Sequence, residues 1–128
     1  MKPHEEWLYK SDHDLKSSQL LVNAAEPLYD IAIYHAQQCA EKSLKAYLAF
    51  KEKEIGKIHN LILLTNLCSE LNRNFESIKE DAVFLNPYST LYRYPEGDLM
   101  PSKEEVNKAM SIAQKILLFV IGEINADD

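Results

Sequence analysis

Residues 34–50 read YHAQQCAEKSLKAYLAF, and this stretch decides the fold. At about 100° per residue, Ile33, Ala36, Cys39, Ala40, Leu44, Ala46, Tyr47 and Phe50 spread over about 200° of a helix. Tyr34, Gln38, Glu41 and Lys45 recur at spacings of four, three and four, so they share one narrow face, with His35 and Lys42 beside it. A helix that is apolar most of the way round belongs at the centre of a bundle. A polar stripe on such a helix must find partners or line a cleft, because unpaired polar groups in a core are costly. The stripe is the first place to look for function.

The rest of the chain also reads as helix. It has three glycines, which leave few sites for hairpin turns, and no segment alternates apolar and polar residues as a strand would. A first helix is expected from about Glu5 to Glu26, stopped by Pro27, with an inner stripe of Trp7 or Leu8, Ser11, Leu15, Ser18, Val22 and Ala25. Asp30 is the expected N-cap of the second helix, which runs to about Lys53 before a turn at Gly56. His59 or Asn60 opens a third, with Leu61, Leu64, Leu67, Cys68 and Leu71 inward. Asn74 caps a fourth carrying Phe75, Ile78, Ala82, Val83 and Leu85 inward, and Pro87 interrupts it. Tyr94 to Pro101 must be loop, and Ser102 with Glu105 forms a capping box for a last helix to about Ile124. Short connections between long helices predict an all-α, up-and-down bundle of four to five antiparallel helices.

At 128 residues the chain is expected to be one domain, residues 1–128, able to bury a real core. A net charge of −6 argues against coating nucleic acid through bulk electrostatics, although a local basic patch is compatible with it. No apolar run approaches a membrane span and no signal peptide is evident, so a cytoplasmic protein without membrane contact is expected. Cys39 and Cys68 lie in apolar helical patterns and read as buried hydrophobes. Metal and cofactor sites are not expected. There is no Gly-rich phosphate loop and no His-Glu-x-x-His, and His4 and His13 lie nine residues apart.

The stripe Gln38, Glu41, Lys45 admits two readings. Glu41 and Lys45 are an i,i+4 pair in the favourable order, which would serve any solvated face. The narrowness of the stripe favours a cleft shared with His59 at the start of the third helix and with Tyr92, Arg93, Tyr94 and Pro95. His59 either caps that helix or helps to hold an anion there. Arg93 either forks onto a ligand carboxylate or phosphate and stacks on a ring, or pairs internally with Glu41 or with Asp14 of the first helix.

Asp14-Leu15, residues 34–46, His59-Asn60-Leu61 and residues 92–95, in this order along nearly the whole chain, resemble the HEPN domain, a family of small helical bundles. The resemblance implies a bundle that commonly forms a homodimer and is often partnered by a small nucleotidyltransferase in toxin–antitoxin-like systems. Some branches are metal-independent ribonucleases marked by an Arg followed, after four to six residues, by a His. Here the corresponding positions hold Ile78, Lys79 and Glu80 after Arg73, and Asp98, Leu99 and Met100 after Arg93, and no histidine follows His59. No catalytic residue is therefore assigned. The leading expectation is a non-catalytic module binding a nucleotide, RNA or the nucleotidyltransferase. In it Gln38, Glu41, Lys42, Lys45, His59 and Arg93 line a cleft and Tyr94 stacks on a base. Two alternatives stay open: a ribonuclease with His59 and Arg93 in a rearranged site, and a purely structural bundle in which Gln38, Glu41 and Arg93 pair with one another and leave no room for ligand.

Overall fold

The computed structural model describes residues 1–127 and is helical, with no strand among the described residues. Helix α1 spans Pro3–Val22, α2 Tyr29–Phe50, α3 Leu61–Leu71, α4 Lys79–Leu85 and α5 Lys103–Ala126. Short 3-10 turns, Arg73–Ile78 and Asn86–Ser89, flank α4. The helix read first from the sequence is the hub: α2 packs on α1, α3, α4, α5 and the turn after α4. One contiguous core runs through Ile33, Ala36, Leu44 and Tyr47 of α2, Leu61 and Leu64 of α3, Phe75, and Val106, Ile116 and Val120 of α5.

The serines on the inner face of α1 explain how it approaches α2 closely. Ser11 and Ser18 are fully buried. Ser11 Oγ donates to the Cys39 carbonyl and Ser18 Oγ to the Ala32 carbonyl, each at 2.7 Å. Small side chains bring the two backbones together, and each hydroxyl is satisfied by a carbonyl of the other helix. Ala25, expected at the end of this stripe, is exposed.

Several boundaries fall elsewhere than the sequence predicts. Helix α1 stops at Val22, four residues before Glu26, because Ala24, Ala25 and Glu26 have nothing to bury against. Asn23 closes it, donating its side-chain amide to the Gln19 carbonyl at 2.9 Å. Asp30 lies inside the first turn of α2 rather than at its cap, where it still faces the positive end of the helix dipole. Helix α2 ends at Phe50, before Lys53, through a Schellman turn: Lys53 N–H reaches the Leu48 carbonyl and Glu52 N–H that of Ala49. The left-handed position of that turn holds Glu52, at φ 57°. Glycine fits such a position without the Cβ clash, so Glu52→Gly should stabilise the protein by about 0.5–1 kcal/mol, read by urea denaturation.

Asn60 caps α3 as expected, accepting from the Ile62 and Leu63 amides. Asn72, not Asn74, caps the following turn, since its side chain accepts from Asn74 N–H. Val83 is 55 % exposed, because the seven-residue α4 turns only Ala82 and Leu85 fully inward. Ser102 caps α5 by accepting from Glu105 N–H at 3.1 Å, but the reciprocal half of the box is missing: the Glu105 carboxylate is engaged by two tyrosines.

Helix α5 also corrects the expectation about apolar runs. It carries an 18-residue window of mean hydropathy 1.4, long and apolar enough by composition to cross a membrane. In the bundle its stripe of Val106, Ala109, Ala113, Ile116, Val120 and Ile124 is core. The two cysteines are buried and free, and burial pushes their thiols up to about 11 for Cys39 and about 12 for Cys68, which makes them inert packing groups.

Candidate functional site

A cleft of about 270 Å³ opens along the polar stripe of α2. Tyr34, Gln38 and Glu41 form its floor, His59 one wall, and Ser89, Thr90 and Arg93 the other. The two walls are tied together locally. Asn86 Oδ1 accepts from Leu61 N–H at 2.9 Å, so the residue that begins the turn after α4 satisfies one of the free amides at the start of α3. Pro87 then bends the chain, and Ser89 to Arg93 come back over α2.

Glu41 is the electrostatic centre of the floor and is only 3 % exposed. Its Oε2 accepts from Lys45 Nζ and from His59 Nδ1, each at 3.1 Å, and Gln37 Nε2 stands 3.5 Å from Oε1. Gln38 Nε2 donates in turn to Gln37 Oε1 at 2.7 Å. A carboxylate only accepts, so the proton of the His59 ring that faces it sits on Nδ1 and Nε2 is left free. Lys45 is 5 % exposed, with its ammonium 5.5 Å from the centre of the Trp7 ring. The stripe is thus neither a solvated face nor an empty charge: its carboxylate is neutralised from below by a buried lysine.

Arg93 is placed differently. It is exposed, no carboxylate among the described residues lies within ion-pair distance of it, and its guanidinium stacks over the Tyr34 ring at 4.2 Å. A guanidinium placed over a ring can still donate through its N–H groups to a carboxylate or phosphate. Internal pairing of Arg93 with Glu41 or Asp14 is not what the structure shows. Asp14 instead accepts from His35 Nδ1 at 2.8 Å and Lys42 Nζ at 2.6 Å.

Gln38, Glu41, His59 and Arg93 therefore meet in one cleft, with Lys45 beneath it. Lys42 does not join them, because its angular position on α2 turns it toward α1. Tyr94 is 66 % exposed and lines a separate hollow of about 310 Å³ with Pro87 and Leu91. The aromatic platform of the cleft is Tyr34, not Tyr94.

Sequence reasoning missed Ser89, Thr90 and Gln37, and it missed the device that aims Arg93. Tyr92 sits at φ 69°, a left-handed conformation that costs a bulky residue roughly 1–2 kcal/mol. Glu105 of α5 holds it, accepting from the hydroxyls of Tyr88 and Tyr92, whose rings are nearly parallel at 8°. Burial first, and then the Glu105 carboxylate, push both tyrosines above their ordinary value of 10.0. The native state retains protons that the unfolded chain releases near pH 10. This stabilisation is complete below that pH and is lost as pH climbs past it. Urea denaturation between pH 8 and pH 11.5 should show the fall (~10 is the turning point), and Glu105→Gln should flatten it.

The HEPN domain family model matches residues 4–124. The chain belongs to the HEPN family. The crystal structure of ST0689, an archaeal HEPN homologue, is similar to it, with a TM-score of 0.76 and 28 % identity over 97 % of this chain and 99 % of that one. No protein of curated function matches. Of the pieces that carried the resemblance, the second helix sends Tyr34, Gln38 and Glu41 to the cleft of this HEPN chain, the third-helix start sends His59 and the 92–95 turn sends Arg93, while Asp14 pairs with His35 and Lys42.

Proposed function

We propose that this HEPN protein is a non-catalytic binding module that takes a nucleotide, free or within RNA, in the cleft over α2. One observation carries the reading: an arginine that makes no ion pair among the described residues sits over a tyrosine ring at the mouth of a hydrogen-bonding cleft, in a chain of net charge −6. The guanidinium edge suits phosphate. Gln38, Ser89, Thr90 and His59 Nε2 offer hydrogen-bonding groups for a sugar or base.

A metal-independent cleavage would need a base for the 2′-hydroxyl and a cation for the phosphorane. His59 and Arg93 line the same cleft, but His59 is tied to Glu41, and the cleft lining holds no second histidine among the described residues. Binding is the simpler use of this geometry.

Isothermal titration of AMP, GMP and short RNAs into the wild type and Arg93→Ala tests the proposal. Saturable binding that depends on Arg93 supports it; no binding at millimolar ligand, or equal binding by both proteins, overturns it. Retention of full-length RNA over long incubation supports the non-catalytic part, and cleavage abolished by His59→Ala overturns it.

The family context adds a homodimer, a small nucleotidyltransferase partner in a toxin–antitoxin-like system, and residence in the cytoplasm to this proposal. Light scattering should give twice the 14.7 kDa chain mass at micromolar concentration, and a monomer at every concentration removes the dimer.

A further inference from the structure

A second cleft, of about 260 Å³, lies on the other side of the Tyr34–Arg93 stack, bordered by Asp30, Ile31, His35 and Tyr92. Tyr34 and Arg93 line both cavities, so the stack is the ridge between them. Each cavity falls short of the roughly 300–1,000 Å³ of ordinary small-molecule sites, and the two together fall inside that range.

The two cavities repeat one arrangement. In the first, a buried carboxylate, Glu41, neutralised by Lys45, holds His59 through Nδ1. In the second, buried Asp14, neutralised by Lys42, holds His35 through Nδ1. Both imidazoles are thereby oriented with Nε2 as the nitrogen left over. Each cavity thus has an oriented heterocycle, and Arg93, which makes no ion pair among the described residues, stands between them.

We infer that the second cleft is a base subsite, and that the ligand of this protein is a dinucleotide step: one phosphodiester on Arg93, one base in each cleft. The inference rests on the nucleotide reading of the first cleft and extends it. A mononucleotide carries its phosphate at one end and would leave one cavity empty. A dinucleotide step carries its charge in the middle, where the guanidinium can fork onto both non-bridging oxygens. The charge pattern selects a base for the second cavity. Asp30 repels a further phosphate there and can accept from an exocyclic amine, while the His35 and Tyr92 rings offer stacking surfaces.

Titration calorimetry with mono-, di-, tri- and hexanucleotides of ribose and deoxyribose type tests this. The dissociation constant should fall about tenfold or more from mono- to dinucleotide, the size expected for one added stacked base, and change little beyond. His35→Ala should erase that step and keep mononucleotide binding. Lys42 still neutralises Asp14 in this variant, and circular dichroism checks its fold. His35→Gln, which retains a donor for Asp14, should erase the step as well if the alanine variant melts early. Equal affinity for mono- and dinucleotide, or a step that survives both variants, overturns the inference and leaves the first cleft standing. Loss of binding to every nucleotide length overturns both readings, as does capture of hexaglutamate in their place. A hexanucleotide that binds like the dinucleotide supports the inference with an internal step of a strand as ligand. A dinucleotide that binds while the hexanucleotide does not supports it with a free dinucleotide as ligand.

Discussion

Glu41→Ala should lower the unfolding free energy by about 3–5 kcal/mol, the usual cost of leaving a buried charge without its partner. Glu41 and Lys45 are 3 % and 5 % exposed, and removal of the carboxylate strands an ammonium that then has the Trp7 ring as its partner among the described residues. A cation over an aromatic face recovers only about 0.5–2 kcal/mol. Lys45→Ala should cost less, because Glu41 keeps the His59 and Gln37 hydrogen bonds. Replacing both partners together, as in Glu41→Leu with Lys45→Met, should be far milder than Glu41→Ala, since no uncompensated charge remains. Urea denaturation of the two single variants and the double variant measures the coupling. A loss of under about 1 kcal/mol in Glu41→Ala would show the pair to be wet and independent, and the floor of the cleft would then need another explanation.

This pair also marks how far the sequence could be read. The hub position of α2 followed from its wide apolar arc, and its narrow stripe followed from the i,i+4 recurrence, because both are properties of a single helix. The resemblance drew on pieces far apart in the chain and pointed to the convergence of His59 and Arg93 with that stripe. The sequence could not show which side of α2 Lys42 takes. Lys42 and Lys45 are three residues apart and similar in pattern, and only the packing of α1 sends one to Asp14 and leaves the other under Glu41. Tyr94 was favoured over Tyr34 as the stacking ring for the same reason. The strained backbone at Tyr92, clamped by a glutamate of α5, sets the direction of the loop, and no local pattern encodes a left-handed tyrosine. Glu105 looked like half of a capping box because Ser102 precedes it by three. Tertiary structure spends that carboxylate on Tyr88 and Tyr92 instead. Boundaries erred for a related reason: helices end where burial ends, and Ala24 to Glu26 carry no sign that the neighbouring surface has run out.

Arg93→Ala should have the opposite profile to Glu41→Ala: a large loss of nucleotide binding with the fold nearly untouched. The side chain is exposed, makes no ion pair among the described residues, and contributes to the native state through its stack on Tyr34, worth about 0.5–1 kcal/mol at an exposed site. Its removal should therefore leave the urea midpoint close to that of the wild type. Binding draws on the same group far more heavily, because charge-assisted hydrogen bonds to phosphate of about 1.5–3 kcal/mol correspond to roughly 10- to 150-fold in affinity. Arg93→Lys separates charge from shape. A point charge on a flexible stem retains attraction to phosphate but loses the planar fork and the stack, so its affinity should lie between those of alanine and wild type. Raising salt should weaken the lysine variant and the wild type alike and the alanine variant less, since the slope follows the charge set against the phosphate. If Arg93→Ala instead unfolds the protein, the guanidinium is a structural strut. If Arg93→Lys binds as tightly as the wild type, charge alone suffices, and the contact with the Tyr34 ring would have no part in recognition.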